Sequence, residues 1–135
     1  MIYRKYASVN RPIRPGHNEC QKRLKEARAL LESREGLFSN LGKVAGELTA
    51  LGIEDSKEVW PLIKELLTEI QPDDYSGGRP PLRSYEKSIE GRELFAFSWE
   101  SVRMSKRMYL KFAIKGERFV YVSLHKDRPL RERQK

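Results

Sequence analysis

Three runs of alternating apolar and polar residues fill the carboxyl-terminal third of the chain, and they constrain its fold more than any other feature. Leu94 to Ser101 puts Phe95, Phe97 and Trp99 on one side and Ala96, Ser98 and Glu100 on the other. Met108, Leu110, Phe112 and Ile114 alternate with Tyr109, Lys111 and Ala113 in the second run. In the third, Val120, Val122 and Leu124 alternate with Phe119, Tyr121, Ser123 and His125. The connections are short, Val102 to Lys106 and then Lys115 to Glu117 around Gly116, so the runs predict an antiparallel meander of three strands. One face of that sheet is apolar and needs a covering layer.

The preceding half of the chain supplies one. Cys20, Leu24, Ala27, Leu30 and Leu31 recur at helical spacing, with Asn18 as the expected N-cap and closure near Gly36. A second helix is expected from Ser39 or Asn40 to about Leu51, with Leu41, Val44, Ala45, Leu48 and Leu51 inward and Gly52 as its carboxyl-terminal cap. Asp55 and Glu58 have the spacing of a capping box, and Val59, Leu62, Ile63, Leu66, Leu67 and Ile70 make the strongest stripe. Pro61 bends the first turn of that third helix, and Pro72 stops it. The expectation is a single α+β domain of N-terminal helices packed on a C-terminal antiparallel three-stranded sheet. Its parts are a basic arm over 1–18, a helical part over 19–70, a long loop over 71–92, the sheet over 93–127 and a basic tail over 128–135.

The loop carries Pro72, Gly77, Gly78, Pro80, Pro81 and Gly91 and is long for a compact domain. Its Tyr75, Arg79, Arg83, Tyr85 and Lys87 offer one wall of a substrate groove; Ser84 to Ile89 also reads as a short helical turn with a packing role.

With a formal net charge of +8, the chain attracts polyanions, and nucleic acid heads that list. The basic residues collect at the two ends, around an acidic stretch from Glu35 to Asp74. One cysteine, Cys20, leaves no intramolecular disulfide and no metal quartet. His17 has no partner at metal-ligand spacing, and Gly77 and Gly78 lack the sequel of a phosphate-binding loop. No apolar run approaches a membrane span and no signal peptide is legible, so a cytoplasmic protein with no membrane partner is expected.

On this reading the outward sheet face collects Glu100, Tyr109, Lys111, Tyr121, Ser123 and His125. RNA is cut without metal when a base removes the 2′-hydroxyl proton, a cation stabilises the phosphorane, and an acid protonates the leaving 5′-oxygen. Glu100 suits the base and His125 the acid, while Lys111 with Arg107 or Arg79 supplies charge and Tyr109 or Tyr121 stacks on a base. Arg79, Arg83, Arg107, Tyr121 and Lys126 are the expected RNA contacts around the catalytic group of Glu100, Tyr109, Lys111 and His125. No cofactor and no metal is required. The geometric requirement is that Glu100 and His125 face one cleft about a phosphate apart, and a slip of one residue in register would turn such groups inward. Two other readings fit the same residues: a non-catalytic RNA- or DNA-binding protein, and a protein-interaction module whose polar face is merely solvated.

The stretch from Trp99 to Lys126, WESVRMSKRMYLKFAIKGERFVYVSLHK, resembles the last two strands of the MqsR mRNA-interferase toxins, small bacterial ribonucleases of the wider RelE-like group. The resemblance places that family's Gln position on Glu100, its strand tyrosine on Tyr109 and its final lysine on His125. Asp74 and Tyr75 look like its aspartate-aromatic motif, with Ser76 where a lysine would stand and Arg79 the nearest substitute. Glutamate with histidine is similar in type to the acid and base of the YoeB toxins. The resemblance implies a RelE-like fold and an endoribonuclease toxin of a type II toxin-antitoxin pair. Its implied partners are mRNA, free or on the ribosome, and a cognate antitoxin. The helical first half would then be an added layer facing the antitoxin or the ribosome.

Overall fold

The computed structural model describes residues 15–127, so the expectations for the arm as far as Arg14 and for the tail from Arg128 lie outside the described residues. Helix α1 spans His17–Ser33, strand β1 Leu37–Phe38, α2 Leu41–Ala50 and α3 Val59–Leu67. Strands β2 (Phe95–Ser101), β3 (Lys106–Lys115) and β4 (Arg118–Lys126) follow. Among the described residues no helix is long and apolar enough to cross a membrane.

The three expected helices form, with shifted ends. Gly16, not Asn18, is the N-cap of α1. Asn40 caps α2 through its side chain, which accepts from the Lys43 amide at 3.2 Å. Asp55 caps a short 3-10 turn, Ser56–Glu58, that leads into α3, and Pro61 fits because the first helical turn needs no amide donor there.

The expected three-stranded antiparallel sheet of RelE-like type is corrected to a four-stranded open mixed sheet of order β1-β4-β3-β2. The extra strand, β1, runs parallel to β4, with Leu37 opposite Val120 and Phe38 opposite Tyr121. Two residues are too few to show an alternation, which hides this strand in the sequence. Gly36 makes it possible, since a Cβ there would stand 2.7 Å from the Phe119 carbonyl oxygen and 2.8 Å from the Trp60 ring. The Ser39 amide then donates to the Tyr121 carbonyl at 2.9 Å, and Phe38 packs between Trp60 and Tyr121.

The alternation in the third run is also corrected. β3 pairs with β4 so that Lys111 faces Ser123 while Phe112 faces Tyr121, which leaves Val122 as an extra residue. This β-bulge reverses the parity of β4. Before it, Phe119 and Tyr121 point into the core and Val120 points outward; after it, Leu124 is buried and Ser123 and His125 face outward. Tyr121, expected on the outer face, is fully buried.

The main core lies between the helices and the sheet and joins Leu24, Ala27, Val44, Leu48, Trp60, Ile63 and Leu66 to Phe97, Phe112, Phe119 and Tyr121. Phe97, Phe112 and Phe119 stack in series across three strands, with centroids 6.1 and 5.0 Å apart. Each such buried ring contributes roughly 2–3 kcal/mol. The loop over 71–92 is ordered by strand-like contacts. Tyr75 bridges to Phe97, Arg83 bridges to Glu93, and the Ser76 amide donates to the Ala96 carbonyl. Its last part lies over the outer sheet face, where a 3-10 turn, Lys87–Ile89, buries Ile89 against Ala113 and Val120.

Two carboxylates close gaps in the backbone pairing. Glu47 of α2 accepts from the Tyr121 hydroxyl (2.7 Å), the Ser123 hydroxyl (3.0 Å) and the Leu124 amide (2.9 Å), where β1 no longer covers β4. Burial, and then the Glu47 carboxylate, push the Tyr121 phenol well above its ordinary value, so it stays a donor. Glu69 accepts from the Trp99 indole, the Ser101 hydroxyl and the Arg103 amide at the β2–β3 turn. Burial works against its ionisation, but these donors prevail and hold its carboxyl below the ordinary value.

Glu47→Ala strands the Tyr121 hydroxyl and the Leu124 amide and is expected to cost about 2 kcal/mol in urea unfolding. Glu69 ionises more readily folded than unfolded, so its contribution is present above the unfolded carboxyl range and is lost as pH falls through the folded value. Glu69→Gln is therefore expected to lower stability by about 1 kcal/mol at pH ~7, with the gap from wild type closing below pH ~4 in unfolding curves taken across pH.

Candidate nucleic-acid site

The pairing on the outer face sets side chains in rows. Glu100 lies opposite Arg107, and the Asp127 amide extends that row by donating to the Arg107 carbonyl at 2.9 Å. The next row is Ser98, Tyr109 and His125, and the next is Ala96, Lys111 and Ser123. A cleft of about 670 Å³ opens on these rows, lined by Arg107, Tyr109, Lys111, His125 and Asp127 with the hydroxyls of Ser76, Ser98 and Ser123. Its extent along β3 is bounded by the arch that carries Ile89, which covers Ala113 and Val120.

His125 stacks on Tyr109, with ring centroids 5.1 Å apart and planes at 23°. Its Nδ1 lies 2.9 Å from the Lys126 carbonyl oxygen, a position that suits a proton on Nδ1 and leaves Nε2 for other chemistry. The Arg107 Nε is 3.4 Å from an Asp127 carboxylate oxygen, and its Nη1 is 3.9 Å from Glu100. The Asp127 side chain is 8% exposed, so this ion pair anchors the guanidinium at the cleft edge. Ser76 and Ser98 share a hydrogen bond of 3.2 Å along the other edge.

Of the residues expected to carry catalysis, Tyr109, Lys111 and His125 line the cleft together and Glu100 does not. β3 lies between the strands of Glu100 and His125, and the two residues stand in different rows. Two interstrand spacings and the offset of one row separate their backbones by roughly 12 Å. The Glu100 side chain is 74% exposed.

Of the expected RNA contacts, Arg107 lines the cleft. Arg79 is drawn to the start of α1, where it donates to the Pro15 carbonyl at 2.8 Å and lies over the Tyr75 ring. Arg83 donates to the Gly91 carbonyl and lines a neighbouring groove. Lys126 is exposed opposite the buried Met108, which puts it on the helix-bearing side of the sheet. Tyr121, in the core, offers no ring to a base. Asp127 and Ser76 were missing from the expected site. Asp127 follows the last alternating residue and Ser76 lies in the long loop, so neither had a periodic signal. Cys20 is buried and its thiol is pushed up by burial, which makes it a packing residue. Among the described residues no group of three or more His, Cys, Asp or Glu side chains is placed to hold a metal ion.

If the cleft binds phosphate, Arg107 and Lys111 are its cations. Lys111→Ala should then weaken binding to single-stranded RNA and lower the slope of log affinity against log salt by about one, measured by fluorescence anisotropy across a salt series.

No family model matches the chain, and neither the curated proteins nor the solved structures give a match to it.

Proposed function

We propose that the chain is an endoribonuclease that cuts mRNA by acid-base transesterification in the cytoplasm, as the toxin of a toxin-antitoxin pair. The observation that carries the reading is the convergence of His125, stacked on Tyr109, with Lys111 and Arg107 in one cleft. The scissile phosphate rests between Lys111 and Arg107, whose charges stabilise the phosphorane. The 2′-oxygen bonds to phosphorus and the bond to the 5′-oxygen breaks, leaving a 2′,3′-cyclic phosphate. His125, in its protonated form, gives its proton to the departing 5′-oxygen. Asp127 is the carboxylate lining the cleft and takes the place first assigned to Glu100 as acceptor of the 2′-hydroxyl proton. Tyr109 holds the imidazole plane.

The position of Glu100, outside the cleft beside Arg107, favours a second reading in which the same residues bind RNA without cutting it.

Purified RNA and translating ribosomes separate the two. The nuclease reading expects cleavage with a 2′,3′-cyclic phosphate end, a loss of about 10²-fold or more in His125→Ala with RNA affinity retained, and near-normal cutting by Glu100→Gln. A wild-type chain that binds RNA and leaves both substrates intact would sink the nuclease and leave the binding protein.

A further inference from the structure

Beside the polar cleft lies a second depression, of about 770 Å³, whose character is opposite. Its apolar surface comes from Leu82, Tyr85, Leu94 and Val122, and Lys111 lines both depressions. Tyr85 is 96% exposed and Leu82 65% exposed, which leaves two large apolar side chains facing water on a loop.

That loop is held firmly. The Ser84 amide donates to the Arg92 carbonyl, the Gly91 amide to the Ser84 carbonyl, and the Leu94 amide to the Leu82 carbonyl, all at 2.8–2.9 Å. From outside the loop, Lys43 of α2 pairs with Glu86 at 3.0 Å, the Ser88 hydroxyl donates to the Ser39 carbonyl, and Lys115 donates to the Ser88 carbonyl. Ile89 anchors the arch to the sheet. With the loop backbone braced, binding there loses little backbone conformational entropy.

We infer that this apolar groove is a nucleobase subsite: an unpaired base of single-stranded RNA stacks on Tyr85 above Leu94 and Val122 while its adjoining phosphate meets Lys111. The inference rests on the reading of the polar cleft as an RNA phosphate site. Three features select this occupant over an apolar peptide. The groove lies beside the cationic cleft, Lys111 lines both so that a sugar-phosphate could pass from one to the other at that side chain, and the exposed ring is of the type on which bases stack. Hydrogen-bond readout of base identity is not part of the inference, because stacking accepts any base.

The test uses the full chain and a fluorescent single-stranded RNA of about eight nucleotides with 2′-O-methyl sugars, which cannot be cut. Affinity is measured by anisotropy against this RNA and against a matched oligomer whose bases are removed. Tyr85→Ala is expected to weaken RNA binding about tenfold, Tyr85→Phe to preserve it, and both variants to bind the abasic oligomer as wild type does. Because Tyr85 is 96% exposed, its truncation leaves the core intact and loss of fold does not confound the result. If Lys111→Ala weakens RNA binding and Tyr85→Ala and Leu82→Ala do not, the base subsite is overturned, the phosphate cleft stands, and the groove is left to a protein partner. A wild-type chain with no RNA affinity at moderate salt overturns the cleft and the subsite together.

Discussion

The single extra residue at Val122, and the Glu47 carboxylate that satisfies the strand beside it, govern the arrangement of everything around them. A bulge leaves backbone donors out of step with their partners, and one such donor buried without an acceptor costs as much as a sizeable core side chain contributes. Glu47 meets the Leu124 amide and the two hydroxyls nearest the irregularity from a neighbouring helix. With the bulge held, one strand serves two purposes. Its first half sends Phe119 and Tyr121 into the aromatic core, and its second half turns Ser123 and His125 toward solvent in register with Lys111 and Tyr109.

The same reversal divides the outer face of the sheet. Val120 is turned outward, where it would be an exposed apolar side chain, and the arch over 82–94 covers it with Ile89. A dry half under the arch thus adjoins a wet half carrying Arg107, Tyr109, Lys111 and His125. The arch serves stability and site geometry together. It removes apolar surface from water and holds Tyr85 and Leu82 in the groove beside the cleft. A cationic recess with an apolar shelf at its edge matches the make-up of a nucleotide, charged at the phosphate and flat and apolar at the base.

Much of the helical layer and the two long pairings between β2, β3 and β4 was legible because long amphipathic segments repeat their signal several times. Val59 to Leu67 declares its buried stripe over more than two turns, and Phe95, Phe97 and Trp99 declare theirs by alternation. The candidate site was legible where it sits on unbroken alternation, at Tyr109 and Lys111, and after the bulge at Ser123 and His125. It was not legible where it depends on loops, as at Ser76, or on the far end of a strand, as at Asp127. Tyr121 failed because uniform alternation was extended through an irregularity that no single residue announces. Glu100 was placed on the correct face, but sharing a face says nothing about which row or strand a neighbour occupies.

By itself, then, the sequence determined the presence and order of the three helices and the three long strands, and the apolar side of each helix, since these follow from local periodicity. Tertiary structure alone decided that a two-residue strand joins beside Phe119 and Tyr121, that β4 changes face at Val122, and that His125 stacks on Tyr109 in the cleft that Lys111 lines while Glu100 stands apart. The physical reason is that register, bulges and close backbone approaches such as that at Gly36 depend on which partner strand, ring or carboxylate lies opposite. Those partners come from positions distant in the chain.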